Sequence, residues 1–404
     1  LKDVFWINLL KLRASYGKTG QDNLGSSLYG VYEPSGFKVG FNDNGLFYVP
    51  CVSMGTNYPD VSWQKTIMKN IGLDFYLFKN RVSGSIDVFR NDVTSLLGYA
   101  STSPLAIYPT RPINGGHFYR QGWEIMLDTK NMVGDFNWNT QLTFSKTNSF
   151  WKERMPNYDY RSYQKRNKEP MNAYYYYKMT GIINADRSNM PESQKTLQAE
   201  AQLPGCPIID DKNNDGKIDE NDIYLKDNTP DIYIGFGNTF TYKNWEFSFF
   251  MYGQFGILKS NIAYRAALPG PLAVDYPENT NKYAYLLWNS QTNPNGTRPG
   301  LAVDRMGALP GGAGVNIDME NASFVRMRNI TLSYNFRDKI LGKLKKYVKG
   351  IKVYADVQNP FVISKFKGFD PEIYTGGGGA NNASRGEYPQ ARTFTPVSYT
   401  HLRA

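Results

Sequence analysis

Only two cysteines, Cys51 and Cys206, occur in the 404 residues. Neither lies in a CxxC, so a disulfide framework or thiol metal site is excluded; a single bridge between the two would need a proximity that sequence does not give. Histidine is as scarce, with only His117 and His401, which argues against a His-based zinc site. His117, at a strand start, reads as part of a wall rather than a proton relay. No run of about 18 apolar residues exists, so a helical membrane bundle is excluded. Charged residues make up only 20% and aromatics 15%, the reverse of a disordered composition. Collagen and coiled coil fail on composition too. No nucleophile elbow, HExxH or phosphate loop is present, and Gly376 to Gly379 is followed by no Lys-Ser/Thr pair. No carboxylate pair can be singled out for glycoside hydrolysis. An enzyme is therefore not expected. The net charge is +10, but the basic residues are dispersed except for Arg337 to Lys352. That cluster reads as a solvated turn, not a nucleic-acid site. The start, Leu1 to Trp6, has neither an initiator Met nor a signal peptide's layout, and reads as beginning inside a longer protein.

What the chain does contain is aromatic residues, 30 Tyr, 23 Phe and 7 Trp, set in period-two alternation. Phe136, Trp138, Thr140, Leu142 and Phe144 fall on one face; Asn137, Asn139, Gln141, Thr143 and Ser145 fall on the other. Ile232, Ile234, Phe236, Phe240 and Tyr242 make a second apolar row, and Trp245, Phe247, Phe249 and Met251 a third. Similar rows run from Leu10 to Tyr16, Ile71 to Leu77, Val82 to Val88, Trp123 to Leu127, Ile330 to Phe336 and Ile351 to Val357. These are nine strands, with a partial tenth at Ala391 to Thr395.

Connection lengths separate two architectures that share this alternation. Tight turns fall near Lys79 to Arg81, Asn131 to Asp135 and Lys243 to Asn244, with 338–349 a longer link on the same side. Long polar stretches lie between the pairs, at roughly 18–64, 98–116, 148–230, 259–322 and 364–390. Such loops are uncommon in compact soluble domains. Short turns alternating with long loops are the pattern of outer-membrane barrels, whose long loops are extracellular. The fold expected is an all-β, antiparallel transmembrane barrel. Its bulky rows face lipid, its amides and hydroxyls face a wet lumen, and Trp123, Tyr242, Trp245 and Tyr334 sit at headgroup level. Parity along 324–336 puts Phe324, Arg326 and Arg328 on the lipid-facing row, at the loop-side end where cations meet lipid phosphates or solvent. A sandwich with one buried face is the alternative.

Several phrases follow one another along nearly the whole chain. They include Leu10 to Gly20, Asn114-Gly115 followed by Gln121 to Glu124, and Asn70 to Phe75 with Gly84 to Phe89. Ser323 to Leu332, Gln358 to Phe361, Lys367 to Glu372 and Tyr388 to Arg392 continue the series. In these the chain resembles the C-terminal part of the barrel of SusC/RagA-type TonB-dependent outer-membrane transporters. The resemblance implies that residues 1–395 are about ten strands of a larger barrel, in the outer membrane of a Gram-negative, Bacteroidetes-like cell and in contact with its lipid. It implies import of oligosaccharides, less often peptides, beneath a SusD-like surface lipoprotein, with TonB reached through an N-terminal part that this sequence lacks. The end departs from the pattern. Pro396 would remove a ladder donor, so 396–404 is expected to be a non-native tail or a truncated strand. Such a piece leaves two unpaired edges and is not expected to transport alone. A passive ten-strand porin and a secreted soluble protein binding calcium and glycans are the other readings.

Within the 148–230 loop, residues 211–222 fit the calcium-loop spacing D-x-[DN]-x-[DN]-G. Asp211, Asn213 and Asp215 would supply side-chain oxygens, Lys217 its carbonyl, Asp219 a direct or water-borne ligand, and Asp222 the closing carboxylate. Gly216 would permit the sharp turn. Position 12 of such loops is usually Glu, and Asp222 is shorter. The calcium would be structural; a metal-free Asn/Asp/Gly turn is the alternative. Tyr174, Tyr175, Tyr176 and Tyr177 form a run that could stack on sugar, or pack within the loop or at the membrane interface.

Overall fold

The structure, a computed structural model, describes residues 5–21, 32–34, 38–42, 45–48, 52–54, 60–102, 110–156, 160–164, 168–261, 285–300, 306–336, 342, 346–368, 370–372 and 389–402. Cys51, Gly376 to Gly379 and Tyr388 lie outside the described residues. Ten long strands form one antiparallel sheet in chain order. They are β1 (Ile7–Gln21), β2 (Gln64–Leu77), β3 (Val82–Thr94), β4 (His117–Met132), β5 (Phe136–Glu153), β6 (Ile232–Tyr242), β7 (Trp245–Phe255), β8 (Phe324–Phe336), β9 (Val348–Ser364) and β10 (Thr393–Leu402). The first nine coincide with rows read from the sequence, and β10 begins within the partial row at Ala391 to Thr395. Among the described residues no ladder joins β1 to β10, so the sheet is an open wall and not a closed ten-strand barrel.

The two faces differ as the alternation requires. Leu12 is 74% exposed, Ile71 63% and Val88 57%, and among the described residues no second sheet covers them, which does not fit a sandwich with this face buried. Rings tile this outer face across strands: Trp138 stacks on Phe240 at 5.7 Å, Phe240 on Phe247 at 6.0 Å, and Trp245 meets Tyr334 edge-on at 4.7 Å. Such pairs favour the observed register beyond their apolar area. Asn238 is a polar residue in the outer row of β6. Its Oδ1 accepts hydrogen bonds from the Trp138 indole and the Thr140 hydroxyl, both at 2.7 Å, which removes the cost of a bare amide oxygen in lipid.

Charge is neutralised on the inner face. The Arg13 guanidinium donates to both oxygens of Asp74 at 2.8 and 2.9 Å and to Asp87 at 3.0 Å. Gly72 lies between Arg13 and Asp87 in the register, and a Cβ there would come within 2.3 Å of the Asp87 carboxylate. Only glycine leaves room for this bridge.

Two sequence expectations change. First, Phe324 and Arg326 are not on the lipid-facing row. Phe250 pairs with Asn329 but Met251 with Met327, so a bulge at Arg328 breaks the register. One extra residue inverts the parity of everything beyond it. Arg326 therefore shares the inner face with Tyr252 and is 2% exposed. Its Nη2 lies 2.5 Å from Asp370 and its Nε 2.6 Å from Glu372, off the N–H line. Arg328 is exposed at the bulge and donates to Asn359. Second, strand β10 continues past Pro396, which pairs with Ala355, to Leu402. A proline is tolerated on an edge strand because one side of its backbone has no ladder to supply. Several of the strands are long, and β5 has 18 residues.

Candidate functional site: a folded module on the loop side

The long loops are not structureless. The main buried apolar cluster lies in them and not in the wall. It includes Tyr177, Ile183, Cys206, Ile209, Ile218 and Ile223, joined by Met306 and Leu309 from the loop between β7 and β8. Its frame is small: Ala173–Tyr177 pairs antiparallel with Tyr224–Asp227 and parallel with Gly314–Val315, and Met179–Ile182 pairs with Pro207–Ile209. Gln194, fully buried, takes the place of a missing ladder. Its Nε2 donates to the carbonyls of Ala201 and Pro207, and its Oε1 accepts from the Ile209 amide. The module is anchored on β5. The Trp151 amide donates to the Glu169 carbonyl, and Arg154 pairs with the buried Glu169 carboxylate.

Strand alternation divides the four-tyrosine run. Tyr175 and Tyr177 turn inward. Tyr177 is fully buried, with its hydroxyl 2.9 Å from the Asp219 carbonyl and 3.0 Å from that of Pro310. Burial, with Glu169 nearby, pushes the Tyr175 phenol up to about 12, so it remains a neutral packing group. Tyr174 and Tyr176 turn the other way and stack at 5.0 Å, and Tyr224 stacks on Tyr176 at 5.7 Å. This three-ring ladder ends in charge. The Tyr224 hydroxyl donates to Asp210 at 2.7 Å, Lys178 pairs with Asp210 at 2.9 Å, and Lys178 and Lys212 lie over the Tyr224 ring at 5.5 and 5.0 Å. The run on which the sequence placed one platform thus contributes two rings to it. Tyr224, Lys178 and Asp210 were missed, since they come from separate segments and no motif marks them.

The Tyr224 hydrogen bond, then that of Lys178, holds the Asp210 carboxyl below its usual range. A depressed folded value means that the contribution is complete above the unfolded carboxylate value, about 4. It is lost as pH falls through the folded value. The Lys178 side chain is 47% exposed, so solvent screening keeps the effect small. Asp210→Asn should flatten the acid limb of the module's proteolysis profile; an unchanged limb would show that Asp210 has no part in it.

Residues 211–222 curl as the spacing requires. Gly216 takes φ +82°, where an L side chain would be strained. The Asp211 carboxylate accepts from the amides of Asp215 and Gly216, Asn213 Oδ1 from that of Asp215, and Asp215 Oδ1 from that of Lys217. The side chains at positions 1, 3 and 5 are thereby turned into the loop. Asp222 is different. It is fully buried, and its two oxygens accept from the amides of Lys212 and Asp219, bracing both ends of the loop. Asp219 caps the short turn at Glu220–Asp222. Among the described residues no three carboxylate, His or Cys side chains converge as a metal cage. Any cation here would depend on the mixed amide, carboxylate and carbonyl oxygens of the loop. Cys206, buried and free, has its thiol raised to about 11 by burial and is a packing residue. His117 lies 3.6 Å from Asp92 in the wall.

No family model matches the chain. The TonB-dependent receptor SusC of Bacteroides thetaiotaomicron is 28% identical over 417 residues, which cover 98% of this chain and 38% of SusC. The TonB-dependent receptors P39 and P3 of Formosa agariphila are each 26% identical, over 92% and 98% of this chain and 38% and 39% of their own. The chain thus spans well under half the length of these relatives. Among solved structures, the RagAB peptide importer in its closed-closed state superposes with a TM-score of 0.73 at 20% identity, over 98% of this chain and 42% of that one. The open-open state gives 0.70. The resemblance to SusC/RagA-type TonB-dependent receptors is borne out, and the fold is that of their barrel wall. These relatives are receptors and not enzymes, as the sequence reading expects.

Proposed function

We propose that the intact protein containing this wall is a TonB-dependent importer of the outer membrane, taking up oligosaccharides or, less often, peptides beneath a SusD-like surface lipoprotein. The chain supplies ten strands of the barrel and a module that meets lid and substrate on the outside. The observation that carries this reading is the segregation of the two faces. Bare aromatic and aliphatic rows such as Leu12, Ile71 and Val88 suit lipid, and the Arg13–Asp74–Asp87 bridge suits a wet interior. SusC is named a TonB-dependent receptor and RagAB a peptide importer, which supports the class but leaves the cargo open. The ring ladder of Tyr174, Tyr176 and Tyr224 suits the apolar face of a sugar or a peptide side chain. The test is growth on candidate glycans and peptides after deletion of the gene, with and without a functional TonB, and affinity isolation of the receptor with its lipoprotein. Uptake that persists without TonB would return the passive porin.

Within the module, Asp211, Asn213 and Asp215 would hold calcium with the Lys217 carbonyl and Asp219, and with Asp222 closing the set. The ion would fix the loop against Tyr177 and take no part in chemistry. Calcium is expected to slow proteolysis of 154–230 several-fold in the wild type, reversibly with chelator, and to have no effect after Asp215→Ala. Equal protection of wild type and variant would remove the metal from this reading.

A further inference from the structure

Outside the module, cationic side chains on the outer face of the wall are distributed unevenly. The register places Lys18 on β1, Lys65 and Lys69 on β2, Arg90 on β3 and Lys146 on β5 on the same face as Tyr16, Ile71, Val88 and Trp123. All five lie on the loop side of the Leu12, Leu73 and Ile86 rows, or level with Trp123 at the edge of the band. Asp92 on this face is shared by Arg90 at 3.2 Å and Lys69 at 3.8 Å, and the other acid of the face, Glu153, stands opposite His117 at the loop-side end of β5. The corresponding outer rows of β6 and β7, Ile232 to Tyr242 and Trp245 to Phe255, carry no charge. The inner face, by contrast, mixes both signs.

Lys69 and Arg90 are directly opposed across the ladder, an arrangement that is unfavourable for like charges. Their side chains are 56% and 43% exposed, and Arg90 also lies 4.2 Å over the Tyr119 ring. Two carboxylates, Asp92 and Glu153, do not balance the five cations, and among the described residues Lys18 and Lys146 have no ion-pair partner. This surplus of positive charge lies at the level where an apolar band gives way to headgroups. We propose that the outer face of β1 to β5 holds a phosphorylated membrane lipid. Lys18, Lys69, Arg90 and Lys146 would engage its phosphate, Tyr16, Tyr119 and Trp123 its glycerol or sugar, and the Leu12, Ile71 and Val88 rows its acyl chains. Arg90 offers planar donors to phosphate and the lysines offer point charge.

The inference rests on the outer-membrane reading, and the test keeps the two apart. The receptor is purified from membranes of wild-type cells and of cells carrying Lys69→Gln, Arg90→Gln and Lys146→Gln together. A need for detergent in extraction reports the membrane reading. Phosphorylated lipid retained after detergent exchange, measured by mass spectrometry, reports this site. At about a factor of five per cation, wild type is expected to hold the lipid about a hundredfold more tightly than the triple variant. Asp92→Asn should hold it more tightly than wild type, and Lys69→Arg with Lys146→Arg should match wild type. Equal retention by wild type and the triple variant would overturn the proposal, as would displacement of the lipid by inorganic phosphate alone. If the triple variant does not assemble, unchanged or weaker retention by Asp92→Asn overturns it. Extraction without detergent would instead defeat the membrane reading itself.

Discussion

Arg326→Met is expected to release the segment after β9 from the wall at a cost of about 3–5 kcal/mol. The reason is the burial of a charge cluster on the inner face. Arg326 and Asp370 are 2% and 5% exposed, and the guanidinium faces both Asp370 and Glu372. Neighbouring groups tie the same segment. The Tyr252 hydroxyl donates to Glu372, the Lys259 ammonium to the Pro371 carbonyl, and the amides of Glu372 and Gln390 to Asp370. Removing the guanidinium leaves two closely packed carboxylates with only the Lys259 ammonium as a counter-charge, which costs more than the ion pair itself is worth. Asp370 accepts from the amides of Glu372 and Gln390, so the loss should free both of these attachments together. Protease cleavage between Ser364 and Thr393 should accelerate strongly, while the wall keeps its resistance to heat in detergent. Arg326→Met with Asp370→Leu should recover part of the loss, because it removes both halves of the imbalance. An unchanged cleavage pattern in Arg326→Met would refute this anchor.

Tyr177→Ala should unfold the loop module without unfolding the wall. Tyr177 is wholly buried and reaches two segments far apart in sequence, through the carbonyls of Asp219 in the 211–222 loop and Pro310 beyond β7. Truncating a large buried ring costs about 3–5 kcal/mol, a large part of what so small a core can supply. Tyr177→Phe keeps the ring and loses one net hydrogen bond, about 1 kcal/mol. Limited proteolysis should therefore cut 154–230 readily in the alanine variant and only slightly faster in the phenylalanine variant. Far-UV signal from the wall should persist in both. If Tyr177→Ala leaves the module resistant, the packing between these loops does not hold it together.

Nine wall strands and the start of the tenth were legible because a sheet with lipid on one side and water on the other requires strict alternation. The error at Arg326 has the same root. Period-two reading assumes an unbroken register, and the bulge at Arg328 leaves no mark in composition. The module was read as loop because its strands, such as Pro207–Ile209, are too short to show a period. The calcium-type spacing was legible as a local motif. The brace made by Asp222, and the ladder of Tyr174, Tyr176 and Tyr224, were not.

By itself the sequence determined the class of wall, the direction of its faces, the side bearing the long loops and the local curl at 211–222, since each depends on neighbours one to five residues apart. Tertiary structure alone decided which charges are buried, which rings meet and which loops share a core. Arg326 with Asp370, Tyr177 with Pro310 and Lys69 with Arg90 are joined only when distant segments are brought together, and the energies that matter there come from desolvation and packing, which no local pattern encodes.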